Sequence, residues 1–301
     1  MLVVRIYGGL GNQMFQYAAG LSISSDRLEQ LMLDTSAFGV GDSKNVTDRN
    51  LDILDFNLNI IHEDTKKVAH LRFQRGFISK VLSHLNKKIL NNYFYGFHPE
   101  LYANKKLKYL DGYFQSDKYA EKINALILKS FTLKPSLRND ISFFSKIFKE
   151  NNFIAVHVRR GDYFNNPKTS KWYAICSSDY YQRGILFLKQ HNPSYRIALF
   201  SDDIDWCRKN IPDLKDAFSI SEYAKEMGLP LRTSQELVLM SQCRHFVISN
   251  STFSWWGQYL CKNKNKMVVS PSIWNLNPRS SKIDLIHPSW YKINVNNQPQ
   301  E

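Results

Sequence analysis

Short apolar runs alternate with helix-period stretches along most of this chain. The first run, Leu2 to Tyr7, leads into a Gly-rich turn and then a helical pattern from about Asn12 towards Ser22. That order predicts a strand, a tight turn and a helix. A second strand is expected over Leu31, Met32 and Leu33, ending at Asp34. Further on, Tyr109 to Gln115 is strand-like and ends in an aromatic loop. Ser116 or Asp117 is then placed to cap a helix carrying Tyr119, Ile123 and Leu126.

Beyond residue 150 the pattern is more regular. Apolar runs with β-branched residues fall at Phe153 to Val158, Arg196 to Phe200, His245 to Ile248 and Met267 to Val269. Helical stretches separate them, at Ser178 to Gln190, Ile204 to Lys209, Ser234 to Ser241 and Ser254 to Lys262. Such alternation predicts a parallel sheet with helices on both faces. Ligands of such sheets bind beyond the carboxyl ends of the strands, where the polar motifs of this half sit. A length of 301 residues suits two domains of about 150 each. The expected architecture is α/β, with domains over 1–150 and 151–301 and a cleft between them.

Hydrophobic residues make up 43% and charged residues 22%, a balance that excludes a disordered chain. No stretch approaches the ~18 consecutive apolar residues of a membrane span. The opening run is too short and too soon followed by glycine for a secretory signal, which places the protein in a cytoplasm. Cys176, Cys207, Cys243 and Cys261 lack the spacing of a zinc site and read as free thiols.

The formal net charge of +13 is unevenly spread: ten Lys/Arg but only Glu100 lie between Lys66 and Lys108. Phe77, Ile78, Val81, Leu82, Leu85 and Ile89 recur there at helical spacing, with Lys80, His84, Lys87 and Lys88 on other faces. A core-packing helix with a solvated basic side accounts for the pattern. So does a peripheral contact with anionic lipid headgroups or a diphosphate-linked lipid acceptor. No nucleic-acid module accompanies these residues, so nucleic acid is not expected as a partner.

Four motifs carry candidate chemistry. In Val156 to Tyr163 an apolar strand runs directly into Arg159 and Arg160, then Gly161 and Asp162. Adjacent arginines at a strand end are costly unless they meet an anion, and the guanidinium fork suits a phosphate. A diphosphate leaving group needs its growing charge stabilised as its bond to a sugar breaks. No Asp-x-Asp lies in a loop suited to a metal; Asp203-Ile204-Asp205 has the spacing but looks like a helix cap. Arginine in place of a metal is the economical reading, and a structural salt-bridge pair with Asp162 is the alternative.

Gly8-Gly9-Leu10-Gly11-Asn12-Gln13 resembles a dinucleotide fingerprint but holds Met14 at the third glycine position. It allows backbone to approach a ligand, with Asn12 and Gln13 amides at a helix N-terminus; a turn capped by Asn12 is the plain alternative. Ile248 to Gly257 ends a strand in hydroxyls and an amide that open a helix. Ser251, Thr252 and Ser254 can donate to phosphate oxygens, and Trp255 or Trp256 can wall a sugar or pack in the core. Leu199 to Asp203 ends another strand, and a carboxylate there suits guanine N1 and N2 donors, a ribose or a helix cap.

Together these motifs and their order resemble the α-1,2-fucosyltransferase family, which includes bacterial surface-polysaccharide enzymes and blood-group H enzymes. The match lies in Gly8 to Ala18, Gly112 to Gln115, His157 to Tyr163, Phe200 to Asp203 with Trp206, and Asn250 to Trp256. It spans the chain to about Trp290. The resemblance implies a GT-B-like pair of Rossmann-like domains. It also implies inverting transfer of L-fucose from GDP-β-L-fucose to the 2-hydroxyl of a galactose-type residue, as in O-antigen or other surface glycan synthesis. GDP-fucose is then a co-substrate, no metal or other cofactor is expected, and the acceptor is a galactose-containing oligosaccharide or lipid-linked glycan.

Carried onto this chain, the resemblance makes Arg159 the ligand of the donor diphosphate, supported by Arg160. His157 and Asp162 set the geometry of that loop. Asn250, Ser251, Thr252 and Ser254 are assigned to the donor and Asp202 to guanosine. Gly9, Gly11, Asn12 and Gln13 fall on the acceptor side, with Asn12 near the reacting hydroxyl. Several bacterial members carry His-Gly before a Cys-Ser-x-x-Tyr-Tyr stretch, whereas here Trp172 to Ile175 precede Cys176, Ser177, Tyr180 and Tyr181. That departure points to a different acceptor preference. Inversion requires a single in-line displacement; Asp162 and His157 are the candidate bases, and a loose oxocarbenium-like transition state needs no strong one. Fucosyl transfer to another position, or a non-catalytic sugar-binding module, are the remaining readings.

Overall fold

Leu2, Val3 and Val4 are fully buried and form the centre of β1 (Leu2–Arg5), in a computed structural model that describes residues 1–38, 50–61, 95–160, 176–276 and 283–295. Two units emerge, one within Met1–Thr132 and Lys282–Leu285, the other within Leu133–Ser281 and Ile286–Glu301.

In the first unit β1 pairs in parallel with β2 (Leu31–Asp34) on one side and β3 (Tyr109–Leu110) on the other. Parallel neighbours need a crossover, and α1 (Leu10–Asp26) supplies it. Gly20 lets α1 lie on the sheet, since a Cβ there would stand 2.9 Å from a Val4 methyl. The helix begins at Leu10 rather than near Asn12, and Gly9 occupies the N-cap position. A short α2 (Glu100–Ala103) leans on α1 through the Ser22 and Tyr102 hydroxyls, 2.7 Å apart. Ser116 caps α3 (Asp117–Lys122), accepting from the Lys118 backbone at 3.3 Å. The expected helix through Leu126 is interrupted. Ile123, at φ −128° and ψ 35°, separates α3 from α4 (Asn124–Ser130), and Leu126 is 40% exposed.

The second unit starts with α5 (Pro135–Asp140) and α6 (Ser142–Glu150). Where sequence pattern puts a boundary near 150, the chain divides after Thr132. Aromatic packing explains the difference: Phe148 on α6 contacts Phe153, Phe200 and Phe218 at ring separations of 5.2, 6.2 and 6.2 Å. There follow β4 (Phe153–Val158), α7 (Ser178–His191), β5 (Arg196–Ser201), α8 (Ile204–Asn210), β6 (Phe218–Ser219) and α9 (Ile220–Glu226). Then come α10 (Thr233–Met240), β7 (His245–Val247), α11 (Thr252–Tyr259), β8 (Val268–Pro271) and β9 (Tyr291–Ile293).

All six strands run parallel, in the order β6-β5-β4-β7-β8-β9. That is the doubly wound arrangement, in which strand order reverses between the first strand and the fourth. Here the reversal lies between β4 and β7. All six residues of β4 are buried, as a central strand covered on both faces requires. Gly184 brings α7 close to the sheet, where a Cβ would meet Val247 at 2.9 Å and Val269 at 3.2 Å.

The helical pattern from Phe77 to Ile89 and the basic run from Lys66 to Lys88 lie outside the described residues. Among the described residues no helix is long and apolar enough to cross a membrane. All four cysteines are free thiols.

Candidate active site

Parallel register brings the second unit's polar motifs to one edge. Val158 pairs with Ser201, so Arg159–Arg160 and Asp202–Asp203 leave the sheet side by side. Asp202 binds both arginines: its Oδ2 lies 3.1 Å from Arg159 Nη1, and its Oδ1 accepts from the Arg160 backbone at 2.9 Å. Arg159 remains 23% exposed and Asp202 24%. Asp202 thus holds a guanidinium that is half-buried.

Arg160 is more enclosed. Its guanidinium lies 3.6 Å from the Trp206 ring centroid, and its Nε stands 3.8 Å from Asp203 Oδ2. Burial lowers its pKa while Asp203 opposes the shift; an arginine stays charged regardless. Asp203 also caps α8, accepting from the Trp206 backbone at 3.1 Å, as its place in the sequence predicts. The carboxylate partners among the described residues are thus Asp202 and Asp203; Asp162 lies outside them.

Across the strand-order reversal, His157 Nδ1 meets Ser249 Oγ at 2.9 Å, both groups buried. Burial first, then the Arg159 charge, pushes the His157 pKa down to about 3, so its ring is neutral. The loop after β7 then opens α11. Ser251 caps that helix, accepting from the Phe253 backbone at 3.3 Å. Asn250 Nδ2 donates to the Trp274 carbonyl at 3.2 Å. Ser254 is fully buried and donates to the Ser249 and Ser251 carbonyls at 3.4 and 3.2 Å. Thr252 is half-buried at the first helical position. Trp255 and Trp256 pack inside, 2% and 0% exposed, so they are core rather than wall.

Glu236 is a further candidate that the motifs do not include. It lies in the first turn of α10, and burial pushes its pKa up to about 7. A helix that leads into a strand of a parallel sheet starts at the carboxyl edge, so the first turn of α10 lies towards that edge. The signal was available: Thr233-Ser234-Gln235-Glu236 opens the helical run before β7.

In the first unit the Gly-rich turn and the Gly112–Gln115 segment meet. Gln115 Nε2 donates to Asn12 Oδ1 at 2.9 Å. Gly8 has φ 79°, a left-handed conformation that favours glycine. Gly9 has an ordinary φ of −71°, and among the described residues a Cβ there would meet nothing within 4 Å. Gly11 is buried in the first turn. Gln13 is fully buried, with its Nε2 donating to the Gly8 and Asn50 carbonyls at 2.8 Å each and its Oε1 accepting from Ile53 at 3.0 Å. Its amide braces the turn. Among the described residues no three His, Cys, Asp or Glu side chains gather as metal ligands.

The sequence pattern of Glycosyl transferase family 11 matches residues 1–294. The chain belongs to that family. It is a glycosyltransferase. It is 31% identical to the O-antigen biosynthesis glycosyltransferase WbnK of Escherichia coli, over 95% of this chain and 98% of that one. An alpha-1,2-colitosyltransferase of Escherichia coli is 30% identical, over 97% of this chain and 99% of that protein. A galactoside 2-alpha-L-fucosyltransferase of Caenorhabditis elegans is 27% identical, over 98% and 79%. The solved fucosyltransferase NodZ from Bradyrhizobium shares the fold, with a TM-score of 0.51 at 15% identity, over 85% of this chain and 92% of that one. The α/β, GT-B-type fold expected from the motifs of this glycosyltransferase is therefore the one it has.

Proposed function

We propose that this glycosyltransferase moves L-fucose from GDP-β-L-fucose, with inversion, to the 2-hydroxyl of a terminal galactose-type residue in a bacterial surface glycan such as O-antigen. The observation that carries the reading is the Arg159–Asp202–Arg160 arrangement at the carboxyl end of the central strand, held at 3.1 and 2.9 Å. The galactoside 2-alpha-L-fucosyltransferase and O-antigen glycosyltransferase among its relatives support it.

In this reading the acceptor oxygen attacks the anomeric carbon as the bond from that carbon to the diphosphate oxygen breaks. The departing electron pair goes to the diphosphate, and Arg159 meets its charge with Arg160 behind it. Ser251, Thr252 and Asn250 flank the phosphates at the N-terminus of α11, and Ser254 fixes that turn. Asp202 orients the arginines, and Glu236 is the better carboxylate for guanine N1 and N2 donors. Asp162 is the proposed base. His157, neutral and bonded to Ser249, positions the two loops. The first unit takes the acceptor, an oligosaccharide or lipid-linked glycan, with Asn12 near the reacting hydroxyl and Gly9, Gly11 and Gln13 shaping the turn. The basic Lys66–Lys108 stretch makes a peripheral contact with the cytoplasmic face of a membrane. No metal or other cofactor is used.

A second donor is favoured by the colitosyltransferase relative, since colitose is fucose lacking its 3-hydroxyl. Incubation of the full chain with GDP-fucose or GDP-colitose and a panel of galactosides, followed by linkage analysis, tests the reading. Release of GDP with a 2-linked α-fucoside is expected. A different linkage, a colitose-only product, or sugar binding without GDP release overturns it.

A further inference from the structure

The carboxyl edge of the first sheet holds a cluster that the roles above leave unused. Arg5, the last residue of β1, pairs with Asp111, one residue past β3, at 3.3 Å; their side chains are 27% and 25% exposed. The Arg5 guanidinium lies 5.3 Å from the Tyr7 ring centroid. Tyr7 meets Tyr113 edge-on at 5.1 Å, and Tyr113 stacks with Tyr95 at 5.6 Å. An ion pair and three rings thus share one edge.

Folding alone does not favour what surrounds them. The Tyr7 hydroxyl and Arg5 Nε are buried without a hydrogen-bond partner among the described residues. So is Nε2 of Gln16, a fully buried residue whose Oε1 accepts from the Tyr7 backbone at 2.9 Å. Buried donors left unpaired oppose folding and are rare. Phe114, next to Tyr113, has φ 51°, a strained value for a residue with a side chain. Strained backbone clusters at sites where a ligand is bound, and a buried donor without a protein partner calls for a water or a ligand. The same turn carries Gln115, which holds Asn12 at 2.9 Å.

A partly open carboxylate fixed by an arginine, beside an aromatic wall, matches a neutral sugar ring. The ring's C–H face packs on an aromatic face, and adjacent hydroxyls donate to the carboxylate. Resting on the galactoside-transfer reading above, we propose that Arg5, Asp111 and Tyr113 form the subsite for the acceptor's galactose-type ring. Tyr113 packs under its apolar face, and Asp111, held by Arg5, accepts from its hydroxyls.

Ligand-observed NMR of methyl β-galactoside with the full chain and GDP tests the subsite without requiring turnover. Tyr113→Ala and Asp111→Asn should each raise the galactoside Kd at least about tenfold. Tyr113→Phe, which keeps the ring, should bind and melt like the parent, and GDP affinity should hold in all three. If Asp111→Asn melts early, the contrast between Tyr113→Ala and Tyr113→Phe decides alone. Unchanged galactoside binding in Tyr113→Ala overturns the inference, as does absence of binding by the parent chain. A chain that binds galactoside through these residues yet transfers no fucose refutes the transferase reading and leaves the subsite standing. Fucosyl transfer whose acceptor KM ignores Tyr113→Ala and Asp111→Asn refutes the subsite alone.

Discussion

His157 Nδ1 lies 2.9 Å from Ser249 Oγ and joins the arginine strand to the hydroxyl loop where strand order reverses. Both partners are buried, so Ser249→Ala leaves an imidazole nitrogen unpaired and should cost about 1–3 kcal/mol. Linkage offers a sharper check. The folded pKa of His157 is about 3 against an ordinary 6.5, so between those values the unfolded chain binds more protons. This contribution is complete above pH 6.5 and is lost as pH falls towards 3. His157→Gln should remove a slope of up to about 1.4 kcal/mol per pH unit. Denaturant titrations across that window decide, and an unaltered slope in the variant would count against the assignment.

Glu236 acts with the opposite sign. Its pKa rises from 4.5 to about 7, so its contribution is complete below pH 4.5 and is lost as pH climbs through 7. Glu236→Gln should therefore flatten the decline on the neutral side, which makes single variants necessary where the two windows overlap. Guanine N1 and N2 donors favour the ionised carboxylate, so GDP affinity should strengthen as pH passes 7 in the parent more than in Glu236→Gln. The variant should also lose its preference for GDP over ADP. Calorimetric titrations that show the same preference in both would remove Glu236 from the donor site.

Arg159 is the group on which transfer depends. Arg159→Ala should lower kcat at least about 100-fold, because a preorganised partner of the leaving charge is gone. It should also weaken GDP binding. Arg159→Lys keeps the charge but not the fork that Asp202 holds, so it should fall between the two. Near-parental turnover in Arg159→Ala would end the proposal.

Much of the second unit was legible because its four main strands are short apolar runs bounded by turns. β6 and β9 escaped for different reasons. Phe218–Ser219 is too short to show a period, and Tyr291–Ile293 lies far along the chain with its first two residues exposed. The Arg159–Arg160 pair was visible as a charge cost at a strand end, but its partners Asp202 and Asp203 lie more than forty residues away. Only the β4–β5 register brings them together. Similarly, the Gly-rich turn was plain, whereas the Gln115–Asn12 bond spans 103 positions and follows from β3 lying beside β1. Periodicity carries local structure; pairing across a sheet edge depends on topology.

Charge compensation by guanidinium groups also makes a statement about metals. Two arginines at one strand end supply the positive charge that a divalent ion would otherwise bring to a diphosphate. Transfer should therefore continue at its full rate in excess EDTA. A strict requirement for Mg2+ or Mn2+ in initial-rate assays would show that the arginines do not act alone.

Gly9 separates stability from function most cleanly. Its φ of −71° and ψ of 166° suit any residue, and among the described residues a Cβ there would touch nothing within 4 Å. Neither its backbone nor its described neighbours require glycine, and a glycine cap offers α1 no side-chain hydrogen bond. Serine is a better N-cap by about a few tenths of a kcal/mol, so Gly9→Ser should melt no earlier than the parent. If the turn is bare because an acceptor approaches its backbone, the same variant should raise the acceptor KM while leaving GDP affinity unchanged. Melting curves, GDP titration and acceptor kinetics on one preparation give the answer. A stable Gly9→Ser variant with parental acceptor KM would show that the backbone of this turn is not where the sugar binds.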